Sequence, residues 1–214
     1  MILPECVKVC SGPIADHCGQ LMACERAAVE NACEKRRNEF STGRYLLRRL
    51  FSEFGLGGVE LPKGSNGGVI LPAGYCGSIA HTGSLCVAAL TTVGDIVSIG
   101  IDVETIGDVG EQECCIFMPQ DEYDIMFLLE PEARQVRMAA AFSVREAIYK
   151  CLNPVFGRWI DFQDARVSFS DDGASVAVKI KNYEGLSGLE CRYEAGDNMV
   201  FASAVLYKCK AGGS

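Results

Sequence analysis

Long apolar runs are missing from this sequence. The longest fall far short of the ~20 residues a membrane helix needs, so no membrane span is expected. Low-complexity tracts are missing too. With 49% apolar and 22% charged residues, the chain reads as globular rather than disordered. The segment Met1-Ile2-Leu3-Pro4-Glu5-Cys6 lacks a basic stretch followed by a continuous apolar one, so no secretion signal is expected. An excess of positive charge is absent as well: a formal charge of −8 argues against a general nucleic-acid binder. Finally, no Cys-x-x-Cys pair occurs among twelve cysteines, which read as reduced thiols of a cytoplasmic protein rather than as a disulfide framework. The best zinc candidate, Cys6, Cys10, His17 and Cys18, matches no standard finger spacing, and these cysteines read as small buried hydrophobes.

What is present is charge in a pattern. Lys35, Arg36, Arg37, Arg44, Arg48 and Arg49 put six of the twenty basic residues into fifteen positions. A polyanionic ligand of so acidic a chain has to be met by such a local cluster. Phe40, Leu47, Leu50, Phe51 and Phe54 keep a helical period through it, with Arg37, Arg44 and Arg48 on one flank of the apolar stripe. Further along, Gly100-Ile101-Asp102-Val103-Glu104 reads as a strand. Asp102 and Glu104 then share one face, roughly 6.5–7 Å apart. Phe142-Ser143-Val144-Arg145-Glu146-Ala147-Ile148-Tyr149-Lys150 reads as a helix, with Glu146 and Lys150 stacked one turn apart. Arg145 is expected to face solvent or to be loosely paired, and Cys151 to lie in the core. Three convergent carboxylates and a lysine would hold a divalent cation against an anionic phosphate.

The rest of the chain supplies a frame. Residues 1–10 could form a strand. A helical pattern spans 20–54, broken near Asn31 or at Ser41-Thr42-Gly43, and a Gly/Pro-rich loop follows over 57–74. Strands are predicted near 75–80, 84–92 and 96–104. A mixed segment over 105–129 precedes a helix from Pro131 to Leu152, closed by Asn153-Pro154. Four more strands are predicted near 165–170, 174–181, 189–194 and 199–207. Adjacent strands joined by tight turns indicate the α+β class: small antiparallel sheets packed with helices, in two halves over 1–105 and 106–214. On that division the carboxylate strand ends the first half and the Glu146–Lys150 helix belongs to the second.

Gly77-Ser78-Ile79-Ala80-His81-Thr82, Gly100 to Glu104 and Phe142 to Lys150 resemble, in order and spacing, the signatures of the 4′-phosphopantetheinyl transferases. The resemblance is to the larger single-chain bacterial type that activates siderophore, nonribosomal-peptide and polyketide synthases. Glu34 to Phe40 with Gly43-Arg44-Tyr45 looks like its arginine-bearing helix, and Trp159 to Ala165 like the segment entering its last strands. Ala80 stands where a Ser or Thr is usual, Leu71 where a Trp is usual, and Asn66 where a basic residue is common.

The resemblance implies a monomeric pseudo-dimer of two similar halves with coenzyme A and Mg²⁺ between them. It implies transfer of the phosphopantetheine arm to a serine of an apo acyl or peptidyl carrier protein, releasing adenosine 3′,5′-bisphosphate. It further implies Asp102, Glu104 and Glu146 as Mg²⁺ ligands, Glu146 also as the base, Lys150 and His81 on the diphosphate, and Arg36, Arg37 and Arg44 at the nucleotide end. Residues 111–129 hold enough apolar side chains to meet a carrier helix. The rivals are a Mg²⁺-dependent phosphohydrolase with the same carboxylates and a non-catalytic module binding coenzyme A or a carrier.

Overall fold

The computed structural model describes residues 2–157, 160–170, 174–183, 186–196 and 198–209, so Trp159 lies outside the described residues. In chain order, β1 (Lys8–Pro13) leads through a 3₁₀ turn at Cys18–Gln20 and α1 (Ala23–Ala27) to α2 (Glu34–Glu53), then to β2 (Tyr75–His81) and β3 (Leu85–Thr92). These strands form an antiparallel sheet ordered β1-β3-β2. The apolar stripe expected over 40–54 is real. Leu46, Leu47, Leu50 and Phe51 bury themselves against Cys86, Ala88 and Leu90 of the central strand, each worth about 2 kcal/mol of transfer energy. The helix break falls near Asn31, while Ser41-Thr42-Gly43 continues inside α2.

The second set runs β4 (Ile96–Thr105), α3 (Glu111–Phe117), α4 (Gln120–Met126), α5 (Pro131–Phe156), a 3₁₀ turn at Phe162–Asp164, β5 (Ala165–Phe169), β6 (Ser175–Ile180), β7 (Leu189–Gly196) and β8 (Met199–Tyr207). Its antiparallel sheet is ordered β4-β8-β7-β6-β5. Val144, Ala147, Ile148, Cys151 and Leu152 of α5 form its core with Val200, Ala202 and Ala204 of β8. α5 does not stop at Asn153-Pro154. Pro154 sits in its last turn, and the stop is Gly157, whose φ of 65° is the left-handed cap glycine adopts without strain.

Each set carries the same connection. A first strand leads into a long helix, and the chain returns through strands of which the last inserts between the first and its predecessor, as β1-β3-β2 and as β4-β8-β7. The second sheet is longer by β6 and β5. The compact units are Glu5–Val93 and Gly94–Ser214 with Met1–Pro4, the latter tied by Ser203 Oγ donating to the Ile2 carbonyl. The division thus falls ahead of the 105/106 boundary expected from sequence. The reason is that β4 pairs along its length with β8 and packs on α5, so it belongs with them.

Candidate active site

The division brings the carboxylate strand and the Glu146–Lys150 helix into one unit. Their contact is made close by Gly100. A Cβ at that position would lie 1.9 Å from the Ala147 carbonyl oxygen and 2.6 Å from the Cys151 nitrogen, so only glycine lets α5 rest on β4 here. Ser98 Oγ fixes the register by donating to the Cys151 carbonyl at 2.7 Å. Two residues beyond Gly100, on the same strand face, Asp102 meets α5 about one helical turn nearer its start.

There Asp102 is 5% exposed, and Lys150 Nζ donates to its Oδ1 at 2.6 Å. The same ammonium lies 3.7 Å from Glu146 Oε2. Burial pushes the Asp102 carboxyl above its usual range, and Lys150 opposes the shift. Glu104 is pushed up to about 7, first by burial and then by Asp102, with Glu146 adding and Lys150 opposing. Glu146 is raised by burial. Burial works against the Lys150 charge, but Asp102, Glu146 and Glu104 outweigh it and hold the ammonium above its ordinary value.

The donor set is all carboxylate oxygen, which suits a hard cation such as Mg²⁺ rather than a thiophilic one. Asp102 Oδ2 is buried without a hydrogen-bond partner, an open acceptor of the kind a cation satisfies. Among the described residues, no three or more His, Cys, Asp or Glu side chains are already gathered as a ligand set for a metal ion.

The basic residues of the other unit part company. Arg36 Nη1 lies 3.4 Å from both Glu39 Oε2 and His81 Nε2 and keeps nearly half its side chain exposed. Glu39 Oε2 is 3.8 Å from His81 Nε2, so strand end and helix start share one small charged cluster. Arg37 instead turns back to donate to the Ala32 carbonyl at 2.8 Å. Arg44 is 5% exposed, stacked 4.1 Å over Phe40, with Nε on the Leu61 carbonyl at 2.9 Å. Burial draws its pKa down to about 10, and its buried Nη2 has no partner. Arg48 holds Glu25, 0% exposed, through contacts of 2.7 and 2.9 Å.

Three residues of weight escaped the sequence reading. Glu39 had a signal, an i,i+3 pairing with Arg36 on the basic helix. Glu25 had none: it also accepts from the Leu61 amide, 36 residues away, at 2.9 Å. Arg145 does not face solvent but is 1% exposed, with Nη2 on Glu122 Oε2 at 2.6 Å, Nε on the Phe162 carbonyl and Nη1 on the Ala141 carbonyl. α4 and the 3₁₀ turn cover that flank of α5, which periodicity alone cannot show. Cys151 is buried as expected, but Cys6 is exposed and Cys10 and Cys18 are half-buried, against the reading of them as core. The His17 ring stacks on Tyr45 at 4.1 Å.

Comparison with known proteins follows the same division. The family model of the 4′-phosphopantetheinyl transferase N-terminal domain matches residues 24–91, and that of the 4′-phosphopantetheinyl transferase superfamily matches residues 98–195. The chain is 27% identical over 197 residues to the 4′-phosphopantetheinyl transferase Svp of Streptomyces mobaraensis, spanning 88% of this chain and 79% of that one. It is 29% identical over 154 residues to Npt of Nocardia iowensis, covering 71% and 68% of the two chains. With PptT of Mycobacterium tuberculosis the identity is 31% over 156 residues, covering 69% and 65%. Both relatives are likewise named 4′-phosphopantetheinyl transferases.

Proposed function

The chain belongs to the 4′-phosphopantetheinyl transferase superfamily, and we propose that it moves the 4′-phosphopantetheine arm of coenzyme A onto a serine of an apo carrier protein. The observation that carries this reading is the Asp102–Lys150–Glu146 cluster, held together across Gly100 inside the stretch the superfamily matches.

Asp102, Glu104 and Glu146 would hold Mg²⁺. When bound, that cation neutralises charge on the diphosphate. The serine hydroxyl attacks the phosphorus bearing the pantetheine, and the bond from that phosphorus to the bridging oxygen breaks. Adenosine 3′,5′-bisphosphate leaves with the bond's electron pair. Glu146, whose basicity burial raises, takes the serine proton directly or through water. The Lys150 ammonium faces the diphosphate. Within the other unit, Arg36 is an accessible cation beside the His81 imidazole, a pair suited to an anionic group. Arg44 keeps its Nε on the Leu61 carbonyl and has a buried Nη2 without a partner, and Arg37 would have to leave the Ala32 carbonyl.

Ile116, Ile125 and Leu128 stand exposed on and beside α3 and α4, apolar contacts suited to a carrier helix. No helix among the described residues is long and apolar enough to cross a membrane. We place the reaction in the cytoplasm, carried out by a monomer. The twelve unbridged cysteines agree with a reducing compartment.

Intact-mass analysis of an apo carrier protein incubated with this protein, coenzyme A and Mg²⁺ tests the reading. A gain of one phosphopantetheine arm is expected, lost with EDTA and reduced at least about a hundredfold in Glu146→Ala. Nucleotide release without a carrier would favour the phosphohydrolase. Coenzyme A binding with no product across several carriers would favour the binding module.

A further inference from the structure

We infer that Lys150 is the resident counter-ion of the acidic cluster and competes with a divalent cation for Asp102, so that the substrate-free protein binds Mg²⁺ weakly. The inference rests on the metal site proposed above and adds a role for Lys150 that precedes any contact with substrate.

Asp102 is 5% exposed, and an ionised carboxylate so placed requires a paired charge. Lys150 supplies it at 2.6 Å and reaches Glu146 at 3.7 Å with the same nitrogen. Glu104 lies on the same strand as Asp102, two residues on. One positive charge therefore faces two carboxylates at close range, a group that remains net negative when both are ionised. A dication is attracted by that deficit, and Asp102 Oδ2, buried without a hydrogen-bond partner, offers it an oxygen. But a dication and an ammonium on one carboxylate repel each other at contact range. For the metal to bind well, the ammonium has to leave.

It is able to leave. The Lys150 side chain is about a quarter exposed, and its four-carbon stem is rotatable. Its ion-pair partners among the described residues, Asp102 and Glu146, are themselves proposed metal ligands. An anionic diphosphate provides a partner outside that set, so cation and diphosphate each ease the binding of the other. By linkage the two effects on affinity are equal. The diphosphate alone, in turn, is repelled by the net negative cluster until the dication is present.

The test is calorimetric titration of Mg²⁺ into the full chain with no coenzyme A. Wild type, Lys150→Met, Lys150→Arg and Asp102→Asn are compared, each checked for folding by circular dichroism melting. Lys150→Met is expected to bind Mg²⁺ about tenfold more tightly than wild type or more, and Lys150→Arg to remain weak, because it keeps the competing charge. Should Lys150→Met not fold, Lys150→Gln takes its place, being neutral but able to hydrogen-bond Asp102. Equal or weaker binding in the neutral variants would overturn the inference while leaving the metal site intact, provided Asp102→Asn abolishes binding. If Asp102→Asn binds as wild type does, the metal site itself is wrong and the inference falls with it.

Discussion

Gly100 shows how much one residue decides. The close approach of α5 to β4 puts the Ala147 carbonyl where a Cβ would stand, and backbone cannot swing aside as a side-chain tip does. Gly100→Ala is expected to push the helix off the strand at a cost of about 2–3 kcal/mol, and to abolish transfer by parting Asp102 from Lys150. Gly94, at the turn before β4, has open space where its Cβ would be. Gly94→Ala should stay within about 0.5 kcal/mol. Chemical denaturation of both variants checks the pair, and equal effects would sink the argument. At this scale the sequence was legible where periodicity speaks: Asp102 and Glu104 on one strand face, Glu146 and Lys150 on one helix face. It was silent where a partner comes from a distant segment. Arg44 read as one of a row of arginines on the flank of the apolar stripe, yet Leu61 and Phe40 draw it inside.

Elements were read well in kind and less well at their ends. The strands over 75–104 and 165–207 fall close to expectation because alternation and turn residues mark them locally. α5 runs on past Leu152 because a proline in the final turn removes one amide and does not by itself end the helix. α3 and α4 were not read from the mixed pattern over 105–129. They are held by contacts from distant residues instead: Glu122 of α4 accepts from Arg145 at 2.6 Å and from the Val167 amide at 2.8 Å, and Glu111 of α3 lies 3.4 Å from Arg134 Nη1. Glu122 thus joins α4 to both α5 and β5. Removing only the arginine leaves a largely buried carboxylate with an unpaired charge, so Arg145→Met should cost about 3–5 kcal/mol. The double variant Arg145→Met/Glu122→Gln should lose less than the two singles summed. Thermal melts of all three variants decide it, and strict additivity would show that the pair acts as two independent residues.

Across the whole molecule, two units repeat one connection, yet the sequence boundary was placed after β4 instead of before it. Chain order suggested helix then strands, twice. Pairing with β8 shows strand, helix, strands, and pairing partners a hundred residues apart leave no local trace. The shift matters for the candidate site, since it gathers Asp102, Glu104 and Glu146 into one unit. That gathering sets a pH dependence. Glu104, with an ordinary value of 4.5, is raised to about 7 in the folded protein. Its protonated form is favoured by folding, so the stability it contributes is full below pH 4.5 and fades as pH rises through about 7. In EDTA, the melting temperature is therefore expected to fall between these limits, and Glu104→Gln to flatten the fall. Mg²⁺ supplied together with coenzyme A, by neutralising the same carboxylates, should restore stability most at the upper end of the window and least at the lower. A wild-type profile that does not change with either the substitution or the metal would mean that Glu104 is not among the acids whose mutual repulsion the cation relieves.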